Sequence, residues 1–152
     1  MQPRMKQPAM VIPEALQALM ALGDCSRKEG LPPRTLDLVN LRASQINGCS
    51  FCLEMHSREA RKAGETDERL ATIAGWREAP YFTEAERAAL ALTEAVTRLS
   101  DRADPVPEHL WKEVTRHYDE PALSALLIAI GLINVWNRLC VATRQVAGSG
   151  PR

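Results

Sequence analysis

The stretch ALSALLIAIGLINVW, residues 122 to 136, constrains this chain more than any other. Read as a helix, it is apolar on nearly every side from Ala122 to Ile133, so it has no polar face to offer water. Such a helix must be enclosed, either in a core or between subunits. The run falls short of the roughly 20 residues that a membrane span needs, and it contains Asn134. A folded domain, with no membrane partner, is therefore expected. A chain of 152 residues has few places for a fully enclosed helix. Self-association into a homo-oligomer is expected, the alternative being a central helix in a monomeric bundle.

The rest of the chain supplies helices to surround it, and no segment reads as a strand. Pro13 opens a helix to about Glu29, with Leu16, Leu19 and Met20 on its apolar side, and Gly30 stops it. Pro33 opens a second, where Leu36, Val39, Ala43 and Ile46 recur at helical spacing until the NG at 47 and 48. A third runs from Cys49 or Ser50 to Gly64, and a short fourth from Thr66 to about Trp76. TEAE at 83 to 86 is a capping box that starts an amphipathic helix through Leu99. Pro107 starts another through His117, and Pro121 starts the last, to about Arg144. The expected fold is all-α: one helical bundle of six to seven helices over residues 9–146, with loose tails at 1–8 and 147–152.

Composition closes off several functions. Hydrophobic residues make up 45% and charged residues 25%, an ordinary globular balance that permits a sizeable core. Net charge is zero and the basic residues are scattered, so the stripe needed to neutralise phosphates is missing and no nucleic-acid partner is expected. The N-terminal Arg4 and Lys6 precede an apolar run broken at once by Pro13 and Glu14, unlike a secretory signal. A cytoplasmic location is expected. In that compartment four cysteines argue for thiol chemistry or metal rather than a disulfide framework.

Chemistry concentrates in NGCSFCLEMHSREARKAGE, residues 47 to 65. On one helix, offsets of three and seven put Cys49, Cys52 and His56 within roughly a 60° arc. Cys49 falls at the helix start, where free backbone N–H groups and the macrodipole favour a thiolate, the reactive form of a thiol. His56, one turn beyond Cys52, could take or return a proton. A zinc clip would need a fourth ligand from Cys25, His109, His117 or Cys140, and none forms a second spaced pair. Haem attachment fails because Leu53 stands where histidine is required. A thioredoxin-type dithiol fails for want of flanking strands. A redox dithiol in a helical scaffold is favoured, with no metal site and no organic cofactor. Zinc, or two plainly buried cysteines, remain the alternatives.

These residues also carry a family likeness. LDLVNLRASQINGCSFCLEMHSREARKAG (36 to 64) resembles the core of the AhpD-like alkylhydroperoxidases in the carboxymuconolactone decarboxylase superfamily. LINVWNRLCVATR (132 to 144) resembles the closing helix of its shorter members. The family pattern places an acid twelve residues before CxxC and a histidine four after it, which here are Asp37, Cys49, Cys52 and His56. The resemblance implies that Cys52 meets peroxide, Cys49 resolves the sulfenate to a disulfide, and His56 with Asp37 relays protons. It further implies homo-oligomers, commonly trimers or hexamers, and a dithiol reductant such as a lipoylated protein. Asp37 stands where the family usually has Glu, and Phe51 where some peroxidases place a histidine between the cysteines. Decarboxylase members generally lack the cysteine pair, which argues against that chemistry here.

Cys25 and Cys140 lie at core-like helical positions and read as small buried hydrophobes. His109 and His117 read as solvated. Asn134, Asn137 and Arg138 interrupt an apolar helix and need hydrogen-bond partners from other helices or subunits. Gly131, in mid-helix, suggests a close helix contact.

Overall fold

The structure, a computed structural model, describes residues 1–149. Among them are eight α-helices and no strand: α1 (Pro8–Val11), α2 (Pro13–Lys28), α3 (Pro33–Asn47), α4 (Ser50–Lys62), α5 (Asp67–Thr72), α6 (Glu84–Thr97), α7 (Glu108–His117) and α8 (Glu120–Ala142). The all-helical expectation holds. All seven expected helices are present, and α1 is added; its four residues are too few to show a helical period. Residues 150 to 152 of the expected C-terminal tail lie outside the described residues.

Local chemistry accounts for the helix starts. Proline occupies the first turn of α2, α3 and α8, where its missing N–H is no loss. Thr83 and Glu86 form the reciprocal capping box of α6, and Asp119 caps α8 by accepting from Ala122 N–H at 3.0 Å.

The domain is built around α3, on which α4, α6 and α8 all pack. Leu38, Val39, Leu41 and Ala43 of α3 are essentially inaccessible, and enclosing each large aliphatic side chain contributes roughly 1.5–3 kcal/mol. Leu92, Leu126 and Ile130 meet Val39 in one core cluster. Ile73, Trp76, Phe82 and Leu90 meet Leu38 and Leu41 in another. Glu94 of α6 ties the two sides by accepting from Arg42 and from Trp76 Nε1 at 2.8 and 2.9 Å.

α8 is longer than its apolar run. It spans 23 residues with a mean hydropathy of 1.8 over its best window, enough by length and composition to cross a membrane. The helix was expected to about Arg144 and ends at Ala142; what the sequence reading understated is the length of its apolar character, bounded there at Trp136. Its stripe from Ala122 to Cys140 is buried against the domain, Asn134 and Asn137 included, so within this chain α8 serves as a core helix. Enclosure is incomplete: Ile128, Val135 and Val141 are 39, 41 and 43% exposed. Gly131 shares that outward side, and a Cβ there would meet nothing within 4 Å. The close contact expected at Gly131 therefore does not occur within the chain.

The segment before α1, placed outside the domain on sequence grounds, runs beside the end of α8. Arg4 N–H donates to the Thr143 carbonyl at 2.8 Å, and Gln145 Nε2 donates to the Met5 carbonyl at 3.0 Å.

Candidate functional site

The site begins with a helix stop. Gly48 ends α3 in the left-handed conformation, φ +67° and ψ 31°, which costs a residue bearing a Cβ roughly 1–2 kcal/mol. Cys49 N–H then donates back to the Ser44 carbonyl at 3.0 Å, and α4 starts one residue later. Gly48→Ala is expected to lower stability by about 1–2 kcal/mol through strain alone, since a Cβ there meets no atom within 4 Å. Urea denaturation measures it, and an unchanged midpoint would refute the strain argument.

Cys49 is the N-cap of α4. Its sulfur accepts the Cys52 N–H at 3.3 Å, the position at which a helix start stabilises negative charge. Cys52 lies one turn in, and the two form a disulfide with Cα atoms 5.3 Å apart. Both are almost wholly enclosed, at 2 and 1% exposure. Phe51 packs against them.

A buried polar network fixes this turn against α8. Asn47 Nδ2 donates to Asn134 Oδ1 and Asn137 Oδ1, each at 2.9 Å. Asn137 Nδ2 donates to Ser44 Oγ at 3.0 Å, and Asn134 Nδ2 to Thr97 Oγ1 at 3.1 Å. The interhelical bonds expected of Asn134 and Asn137 are thus present, linking α8 to α3 and α6. Arg138 instead bonds within α8, to the Asn134 carbonyl and Oδ1.

The next residue on that face of α8 is Cys140, which sequence reasoning took for a plain buried hydrophobe. It is buried, but its sulfur joins those of Cys49 and Cys52, all three lying within 4.8 Å of one another. Spacing on α8 held a signal: Asn134, Asn137 and Cys140 recur every three residues and share one face. The other expected core cysteine, Cys25, is exposed on α2, because its helix buries little beyond Ser26. Neither it nor His109 or His117 joins the sulfur cluster.

Asp37 and His56 come from α3 and α4 and share one charge neighbourhood. Burial and the Arg27 charge lower His56 to about 4, so its imidazole is neutral at pH 7. Burial and the nearby Glu65 raise Asp37 to about 6, against the opposing pull of Arg27. Arg27 and Glu59 act on both groups. No side-chain hydrogen bond joins Asp37 or His56 to each other or to a cysteine among the described residues. The structure thus pairs the two predicted cysteines and places the predicted acid and histidine in reach of the same two charges, Arg27 and Glu59, without linking them.

A cleft of about 400 Å³ is lined by Asn47, Asn137, Arg138, Val141 and Ala142, between the end of α3 and the end of α8. A larger one of about 690 Å³, walled by Arg34, Thr35, Glu86 and Tyr118, lies at the other end of α3 and touches none of the predicted site residues.

Fold and site together define an all-helical protein with a buried CxxC disulfide at a helix N-terminus. The sequence profile of the carboxymuconolactone decarboxylase family matches residues 13–95. This chain belongs to that family, in its AhpD-like branch. It is 35% identical to the uncharacterised protein YdfG of Bacillus subtilis (strain 168) over 139 residues, 91% of this chain and 93% of that one. A crystallised protein of unknown function from Agrobacterium tumefaciens, described as a candidate antioxidant defence protein AhpD, superposes with a TM-score of 0.89. It is 36% identical and covers 98% of this chain and 100% of its own. The debrominase Bmp8, crystallised in complex with 2,3,4-tribromopyrrole, shares the fold at a TM-score of 0.80 and 20% identity, covering 92% and 74%.

Proposed function

We propose that this protein is a dithiol peroxidase whose working group is the Cys49–Cys52 pair. The observation that supports it most is that pair's placement, enclosed at the α4 N-terminus with a backbone N–H on Cys49 Sγ. Cys52 thiolate attacks the peroxide O–O bond, forming Cys52 sulfenic acid and releasing an alkoxide that takes a proton to become the alcohol. Cys49 thiol condenses with the sulfenic acid, forming the disulfide and losing water. An external dithiol then attacks Cys52 Sγ and expels Cys49, the better leaving group because the helix start stabilises its thiolate. Neutral His56 accepts the thiol proton and passes it by way of Asp37. No metal or organic cofactor takes part in these steps.

The reductant we propose is a dithiol, a lipoylated protein being the kind the family likeness suggests. We also propose that the chain works as a homo-oligomer, a trimer or hexamer. The outward stripe of Ile128, Gly131, Val135 and Val141 supports this, since an apolar stripe on a core helix is suited to burial by another subunit.

The rival reading is a zinc-clipped or structural helical module, or a thiol sensor. Mass mapping of the cysteines before and after peroxide decides between them. Reduced protein should consume one equivalent of peroxide per chain and gain a bridge at the Cys49–Cys52 pair. Stoichiometric zinc, released when the thiols are alkylated, would overturn the dithiol reading.

A further inference from the structure

The third sulfur of the cluster has no part in the mechanism above. Cys140 comes from α8, 88 residues beyond Cys52 in the chain, yet its Sγ lies within 4.8 Å of both sulfurs of the CxxC pair. The three cysteines form one buried apolar cluster, with Phe51 packed against it.

A second observation points to Cys140. Gln7, at the N-cap of α1, uses its Oε1 to accept the Met10 N–H at 3.2 Å. Its Nε2 is buried and has no oxygen or nitrogen partner. That amide sits beside Cys140, where burial pushes the thiol up while the Gln7 N–H favours the thiolate. A buried donor left without an acceptor is destabilising, because it has given up its hydrogen bond to water. A sulfur that gains negative charge is an acceptor able to recover part of that cost.

We propose that Cys140 is a third redox thiol, which attacks Cys52 Sγ of the Cys49–Cys52 disulfide, forms a Cys52–Cys140 bridge and releases Cys49 as thiolate. This rests on the dithiol reading. One S–S bond breaks and one forms, so the exchange consumes neither oxidant nor reductant. The proton lost by Cys140 returns to the released Cys49. Cys52 is the sulfur attacked because the leaving thiolate is then Cys49, held by the Cys52 N–H and the α4 macrodipole. The consequence is a site with two resolving partners for Cys52, one on its own helix and one on α8. The oxidised state moves between a local bridge within α4 and a bridge that clamps α4 to α8.

Trypsin places Cys49 and Cys52 together in peptide 43–58 and Cys140 in peptide 139–144, so the pairings are separable. Reduced full-length protein is oxidised with limiting diamide, quenched in acid, alkylated and digested without reductant. Peptide 43–58 cross-linked through Cys52 to 139–144 is expected at no less than about a tenth of the internally bridged peptide. In Cys49→Ser, one equivalent of peroxide should drive Cys52 into the Cys140 bridge, whereas Cys49→Ser/Cys140→Ser should hold Cys52 as the sulfenic acid, which dimedone traps. If wild type gives only the internal bridge, with Cys140 always alkylated, the exchange is refuted and the dithiol reading stands. If no bridge of either kind forms, the dithiol reading itself fails and the exchange with it. The wild-type measurement decides the matter even where a serine variant does not fold.

Discussion

Cys52→Ser is expected to abolish peroxide consumption by the reduced protein, while Cys49→Ser still consumes one equivalent. The asymmetry follows from the proposed order of attack: without Cys52 no sulfenic acid forms, whereas without Cys49 only its resolution changes. Peroxide loss followed in stopped flow measures both, and a Cys52→Ser chain as fast as wild type would assign the attack to another thiol. The same experiment carries a pH dependence. Asp37, held near pH 6, accepts a proton only when ionised, so the rate of Cys52 oxidation should fall as pH drops through about 6. His56 stays neutral down to about pH 4 and adds no limb above that. Asp37→Asn should remove the limb near 6 and slow the reaction by about 10²-fold or more, the scale of a positioned acid–base group. A limb near 6 that persists in Asp37→Asn would exclude Asp37 from the relay.

The second large effect is on stability. Arg69, largely buried at the α5 end of the domain, donates to Glu65 Oε2 at 2.8 Å and Glu86 Oε1 at 2.6 Å. It also bonds to the Tyr81 carbonyl and lies over the Phe82 ring at 5.0 Å. The carboxylates it joins are 1 and 10% exposed. Arg69→Ala leaves two enclosed negative charges short of a partner, and breaking a buried ion pair costs about 3–5 kcal/mol. For a chain of this size that amounts to a fall in Tm of roughly 10 °C. Burial alone would raise Glu65 and Glu86, but the hydrogen bonds and charge of Arg69, with Arg34 and Thr83, hold both below the ordinary value. Depressed carboxylates stabilise the fold above their unfolded pKa, about 4.5, and that contribution is lost as pH falls through their folded values. The Tm gap between wild type and Arg69→Ala should therefore be full at pH 7 and close in acid. A gap that is constant from pH 7 to 3 would mean the loss is one of packing, not charge.

Residues within one helix were legible in advance. The capping box at 83 to 86, the stop at Gly48 and the start of α4 at the CxxC depend on neighbours a few positions apart, and local sequence states those relations directly. The Arg69 hub was not legible. Thr83 and Glu86 announced a cap, but nothing local says that Glu86 also takes an arginine 17 residues earlier. Cys25 misled because an amphipathic reading of α2 counts apolar residues without knowing how few of them the rest of the chain covers. Gly131 was not decided by sequence either: a small residue marks a close approach only if another helix arrives, and within this chain none does.

What the sequence determined by itself is the class of fold and the cysteine pair at a helix start. Proline and cap residues set where helices begin, the apolar run from Ala122 demanded a helix that others must cover, and CxxC at a helix start implied a stabilised thiolate. Only the tertiary structure decided what surrounds that pair. It brought Cys140 and Gln7 from opposite ends of the chain to the same sulfur cluster, and Asn47 onto Asn134 and Asn137. It also left one side of α8 uncovered. Those outcomes depend on which helices pack together and in what register, and that choice is made by the whole core at once rather than by any short stretch of residues.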